Sequence, residues 1–126
     1  MLRLVVCDDD ERVLEVLFAL CERALLGRDV EVEVVAAGSF DDALVALQAG
    51  SGPVKLVTDY NLDRLTGCDL IRQAGESGCS LGNVAIVSGR LAGSDRSHDC
   101  AGSLVRSWSK PVGLHDMRQI LDWILV

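Results

Sequence analysis

Four places in the chain carry side chains that could do chemistry together. They are Asp8-Asp9-Asp10 after the apolar run Leu4–Cys7, Asp59 after Val54–Thr58, Ser88 after Val84–Val87, and Lys110 after Leu104–Ser109. Three carboxylates crowded together (Asp8, Asp9, Asp59) repel one another, which pushes their pKa values apart and upward unless a cation sits among them. An all-oxygen set with no histidine beside it suits magnesium, which takes one or two carboxylates, waters and usually a phosphate oxygen. Asp59, alone at the end of its run, is then the candidate nucleophile. A metal-neutralised carboxylate can attack an incoming phosphoryl group and form an acyl phosphate. Such a transfer asks for charge stabilisation on the equatorial oxygens more than for an acid or base, and Lys110 with Ser88 would supply it. Singly, each residue has a plainer reading: a strand-end Asp caps a helix, Ser-Gly makes a turn, and a Lys before Pro sits in a solvated loop. Phosphoryl chemistry is suggested by all four strand ends carrying the right group.

For these residues to meet, the runs before them must be neighbouring strands pointing the same way. Leu4–Cys7 and Val84–Val87 are continuously apolar, as strands buried on both faces are. Val30–Ala37 alternates valine with Glu31 and Glu33, which predicts a strand near a sheet edge, and Leu104–Ser109 reads as a weak strand interrupted by Arg106 and Ser107. Between them, Leu14, Leu17, Phe18, Cys21 and Leu25 recur at helical spacing up to Gly27, with Val13, Val16 and Leu20 widening the apolar arc toward a broad core contact or a docking surface. Ser39 with Asp42 resembles a weak capping box for a helix carrying Ala43, Leu44 and Leu47, closed by Gly50-Ser51-Gly52-Pro53. Asp69–Glu76 predicts a short helix, Asp95–Ala101 a short and poorly anchored one, and Leu114, Met117, Ile120, Leu121 and Ile124 a final one. Five strands alternating with five helices imply a parallel sheet covered on both faces, with ligands bound beyond the carboxyl ends of the strands.

The bulk numbers agree with a single α/β domain over residues 1–126. The chain has 126 residues, 49% of them apolar, enough for one core and too few for two. A formal net charge of −7 argues against direct nucleic-acid binding. No stretch offers the ~20 uninterrupted apolar residues of a membrane span, and the run after Met1 is too short for a secretion signal, so the expected location is cytoplasmic. Five scattered cysteines with no C-x-x-C point to reduced structural thiols; Cys7, beside the acidic cluster, reads as a buried strand thiol with reactivity as the alternative.

Asp8-Asp9, Asp59, Ser88-Gly89 and Lys110-Pro111, in that order and at that spacing, resemble the response-regulator receiver family of bacterial two-component systems over the whole chain. The resemblance implies a flavodoxin-like (βα)5 three-layer sandwich with a five-stranded parallel sheet ordered 2-1-3-4-5. It implies that Asp9 ligates magnesium directly, that Asp8 acts partly through water, and that the backbone carbonyl of Asn61 completes the metal site. Asp59 would be phosphorylated by a histidine kinase or a histidine phosphotransfer domain, Ser88 would be the switch hydroxyl and Lys110 the family's lysine, with a cis Lys110–Pro111 bond. The domain would signal without being an enzyme beyond its own phosphorylation and slow dephosphorylation. Its output would be a shift of the face made by the fourth helix, fifth strand and fifth helix, toward an effector that the sequence does not name.

The chain departs from the family pattern at Asp63, where proline is usual, and at Ser107, where a Tyr or Phe switch is usual. Trp108 is the neighbouring aromatic, and a one-residue shift would let it serve instead. Arg90 stands where family members tune the lifetime of the acyl phosphate, with Asp63 as a further tuner. Two alternatives follow. One is a receiver-like interaction module that does not switch by phosphorylation. The other is a magnesium-dependent aspartyl-phosphate phosphatase, for which the chain offers neither a substrate cap nor an aspartate in an acid's place.

Overall fold

A computed structural model of the chain describes residues 1–89, the backbone of 98–100, and residues 102–126. The elements in chain order are β1 (Leu2–Cys7), α1 (Glu11–Leu25), β2 (Val32–Ala37), α2 (Phe40–Gln48), β3 (Val54–Asp59), β4 (Asn61–Leu62), β5 (Leu65–Thr66), α3 (Gly67–Glu76), β6 (Val84–Ser88), β7 (His98–Cys100), β8 (Ser103–Ser109) and α4 (Leu114–Ile124). The five long strands β2-β1-β3-β6-β8 lie side by side and all parallel, so the expected 2-1-3-4-5 order of a flavodoxin-like sheet is the observed one.

The apolar runs are strands because they are buried from both sides. Leu4, Val5, Val6 and Cys7 have no exposed surface. Their side chains alternate between two cores. Val5, Cys7, Leu56 and Ile86 pack under α2 and α3 with Phe40, Leu47, Leu70 and Ile71, whereas Leu4, Val6, Val57 and Val87 pack under α1 and α4 with Leu17, Cys21, Met117 and Ile120. β2 is the edge that its alternation predicts, and its exposed Glu33 pairs with Arg3 of β1. Arg3 also donates to the carbonyls of Ala46 and Ala49, covering the C-terminal end of α2.

Helix boundaries follow local chemistry. Asp10 caps α1 by accepting from Arg12 N and Val13 N, and α1 ends just before Gly27, which takes the left-handed φ of +81°. Ser39 Oγ accepts from Asp42 N at 3.1 Å. α3 begins at Gly67, two residues earlier than expected, because Thr66 and Asp69 form a reciprocal capping box. The backbone amide of Thr66, first among the contributors, holds the Asp69 carboxyl below its ordinary pKa.

Three expectations need correction. The helix placed over Asp95–Ala101 is not formed at His98–Cys100, which is an extended strand running antiparallel to β8; residues 95–97 and 101 lie outside the described residues. The cause is local: Cys100 pairs with Ser103, and Gly102 at φ +86° lets the chain reverse within two residues. The described residues thus hold four helices and a sixth, antiparallel edge strand. β8 is not weak but the longest strand, because Ser107 is buried and Arg106 lies with its guanidinium 5.0 Å from the centroid of the Trp108 ring. The loop after Asp59 is a small antiparallel hairpin, β4–β5, turning at Asp63-Arg64.

Candidate functional site

Register brings the singled-out residues together. Cys7 lies opposite Thr58, Asp59 opposite Val87, and Ser88 opposite Ser109, so the residues that follow or end these strands emerge at one sheet edge. Lys110 N donates to Ser88 O at 2.9 Å, and the Lys110–Pro111 bond is cis as the resemblance implied. Asp8, Asp9 and Asp59 each offer a carboxylate oxygen, all within 4.8 Å of one another.

The environments of the three acids differ. Asp8 is wholly buried; its Oδ1 accepts from Asp10 N at 2.9 Å and its Oδ2 accepts from Lys110 Nζ at 2.7 Å. Asp59 is buried, with Oδ2 at 3.2 Å from the same ammonium. Asp9 is exposed, with a carboxylate facing solvent at the mouth of the cluster. Burial and then the Asp8 charge raise the pKa of Asp59, while Lys110 opposes both. Burial works against the Lys110 ammonium, but hydrogen bonds and charge from Asp8 and Asp59 outweigh it, so its pKa is raised. The lysine thus bridges two carboxylates that would otherwise repel. Among the described residues no buried side-chain N or O lacks a hydrogen-bond partner. Asp10, third of the acidic run, caps α1 and does not join the cluster.

A hard divalent cation fits this donor set: three carboxylate oxygens lie close together and one of the acids is open to solvent. Asn61, whose carbonyl the resemblance assigns to the metal, starts β4 two residues beyond Asp59. The segment between them is held at both ends. Thr58 Oγ1 donates to Asp59 O at 2.9 Å, and Gly67 N donates to Tyr60 O at 2.7 Å as α3 begins. Gly67 has no room for a side chain, since a Cβ there would stand 2.8 Å from Asp59 O. Sequence reasoning missed this residue; T-x-x-D before a helical run was the readable signal for the helix start, but nothing in the sequence marks the close approach.

Asp63 takes φ +64° as the first turn residue of the hairpin, a left-handed conformation that aspartate tolerates and that proline, fixed near −65°, does not. The departure from the family's proline therefore accompanies a differently shaped turn. Asp63 and Arg64 line one wall of an open cleft of about 510 Å³, with Asp9 and the start of α2 on the other side. A second, mainly apolar groove of about 260 Å³ runs between Val13, Val16 and Leu17 of α1 and Pro111-Val112 beyond the lysine. Ser88 is buried at the end of β6, and Arg90 lies outside the described residues.

Cys7 is the expected strand thiol. It has no exposed surface, its Sγ lies 3.6 Å from Ser39 O, and burial pushes its pKa up to about 12. The same holds for Cys21 in the other core. Alkylation with iodoacetamide at pH 8 should leave both unmodified in the native chain, as read by peptide mass mapping, because the thiolate is the reactive form.

Comparison with solved structures decides the fold. The sheet and helices superpose on a response regulator receiver domain from Clostridium thermocellum with a TM-score of 0.68 at 21% identity, over 97% of this chain and 92% of that one. The receiver domain has the same fold as this chain. A similar match is found to the receiver domain of the hybrid histidine kinase CckA, at TM-score 0.70 and 21% identity over 98% and 99% of the two chains. The Vibrio cholerae chemotaxis protein CheY4 gives 0.75 at 15% identity over 98% of each. No family model matches the chain, and no curated protein matches it. The receiver fold accounts for the clustering at the strand ends. Among the described residues no helix is long and apolar enough to cross a membrane.

Proposed function

We propose that residues 1–126 are a phosphoacceptor receiver domain of a two-component system or phosphorelay, acting in the cytoplasm. The observation that carries this reading is the meeting of Asp8, Asp9 and Asp59 at the carboxyl edge of a parallel sheet, with Lys110 Nζ against Asp8 and Asp59. Asp9 directly, Asp8 partly through water, Asp59 and the Asn61 carbonyl would hold magnesium, which when bound neutralises the acids and the transferred phosphoryl oxygens. A carboxylate oxygen of Asp59 attacks the phosphorus of a phosphohistidine; the new P–O bond forms as the P–N bond breaks, and the imidazole leaves. The Lys110 ammonium, already 3.2 Å from Asp59, turns from the acids to the phosphoryl oxygens, and Ser88 contributes its hydroxyl. The donor is a histidine kinase or a histidine phosphotransfer domain. The apolar groove between α1 and Pro111 gives such a protein a dry surface beside the acceptor.

The test is incubation with magnesium and acetyl phosphate followed by intact mass. One phosphoryl is expected on the native chain and none on Asp59→Asn. A native chain that takes no phosphoryl from acetyl phosphate or from any histidine donor would sink this reading.

A second reading, a receiver-like interaction module that does not switch, is favoured by one observation: Ser107 occupies the usual aromatic position and is buried, with no aromatic on its side of β8. Trp108 does not replace it, since it points into the opposite core, under α1 and α4. An adduct with unchanged hydrogen exchange from Ser103 to Lys110 would select the second reading.

A further inference from the structure

Resting on the receiver reading, we infer that occupancy of Asp59 is read out on the α1–α4 side of the sheet, through Trp108 and Gln119. The reasoning begins at Lys110. Its ammonium is shared between Asp8 Oδ2 at 2.7 Å and Asp59 Oδ2 at 3.2 Å. A phosphoryl group on Asp59 consumes one carboxylate oxygen and brings new anionic oxygens, so the lysine must re-aim and the end of β8 must accommodate it.

A change at the end of a strand leaves it by one face or the other, since successive side chains point to opposite sides. On the α2–α3 side the nearest buried residue is Ser107, opposite Ile86. A serine hydroxyl is too small to sweep between two packed positions, so among the described residues of β8 this side offers no moving part. On the other side stands Trp108, opposite Val87 and packed with Met117, Ile120 and Leu121 of α4. Its indole is two residues from Lys110 and is only loosely held at its polar tip. Nε1 donates to Gln119 Oε1 at 3.4 Å, the long end of a hydrogen bond. Gln119 in turn lies 3.4 Å from His115 Nε2, and Arg106 lies over the ring. Gln119 and His115 are exposed on α4. A large side chain wedged against a helix, with a weak tether to its surface, is a part that two packings of the strand end would place differently. The aromatic missing from one face of β8 is thus matched by one on the other, and the read-out surface moves with it.

The chain has two tryptophans, and Trp123 is held by Nε1 donating to Val84 O at 3.0 Å, at the opposite end of β6 from Ser88. Fluorine NMR of the full chain with 5-fluorotryptophan gives one resonance for each, assigned with Trp123→Phe. On addition of magnesium and acetyl phosphate, the Trp108 resonance should shift in proportion to the adduct measured by intact mass, while Trp123 stays. Asp59→Asn should show no shift. Gln119→Ala, an exposed substitution remote from the acids, should form the adduct at the native level yet shrink the Trp108 shift at least twofold. A full adduct with an unmoved Trp108, or a Gln119→Ala shift equal to the native one, overturns the inference. Absence of any adduct instead overturns the receiver reading itself, so the two failures are told apart by the mass spectrum.

Discussion

Lys110→Met should lower stability by about 3 kcal/mol in the presence of a chelator, and should slow phosphoryl uptake by about 10²- to 10³-fold. The first figure follows from what the lysine leaves behind. Asp8 is fully buried and keeps only the Asp10 amide, while Asp59, also buried, faces Asp8 with no cation between them. Removing one partner of a buried ionic group typically costs 3–5 kcal/mol, and the partial exposure of Lys110 puts this case at the lower end. The second figure reflects the loss of a positioned donor on the developing charge. Urea unfolding with and without magnesium separates the causes, because a bound cation at 100 times its Kd restores about 2.7 kcal/mol. Asp8→Asn in the same background should recover stability without the metal. The pH dependence has a definite sign. The folded-state pKa of Asp59 is raised, so the folded chain takes a proton more readily than the unfolded one, and stability rises as pH falls through that raised value. That recovery should be larger in Lys110→Met, where the lysine no longer opposes protonation. The Lys110 contribution is fully present below the ordinary lysine pKa and is lost only as pH climbs through its raised value.

Gly67→Ala should weaken magnesium binding at least tenfold and slow phosphoryl uptake by up to about 10²-fold, with a stability loss of about 1–3 kcal/mol. The new methyl would meet Asp59 O at 2.8 Å and Thr58 Cγ2 at 3.0 Å. Neither neighbour is the free end of a flexible side chain. β3 is flanked by β1 and β6, so the strand yields little, and the displacement falls on the Asp59–Asn61 segment that carries the acceptor and the Asn61 carbonyl. Calorimetric magnesium titration and adduct formation measure both effects. Gly113→Ala, where a Cβ would meet nothing within 4 Å, should leave metal affinity unchanged.

What the sequence made legible was what depends on periodicity and on strand ends. Continuous apolar runs ending in Asp8 and Ser88, with the mainly apolar run ending in Asp59, predicted both the buried strands and the edge where the acids meet, because a parallel sheet sends every carboxyl end the same way. What it concealed depends on contacts between distant segments or on single dihedral angles. Arg106 and Ser107 made β8 look weak because stacking of an arginine on Trp108, and burial of a serine, are not visible in a linear pattern. The reversal at Gly102 turned an expected helix into β7 because polar, glycine-rich composition is equally compatible with a hairpin. The need for glycine at position 67 is invisible from one sequence, since it arises from a carbonyl eight residues earlier.

The placement of β7 has a mechanical consequence. Among the described residues it pairs with β8 at Ser103, Leu104 and Val105, while β6 pairs along Val105 to Ser109. Among the described residues, then, the two halves of β8 are gripped by different neighbours: the half remote from the acids is anchored in the β7 hairpin, and the half leading to Lys110 is held by β6. A rearrangement of charge at Lys110 is therefore passed first to β6, whose Ser88 carbonyl accepts from Lys110 N at 2.9 Å.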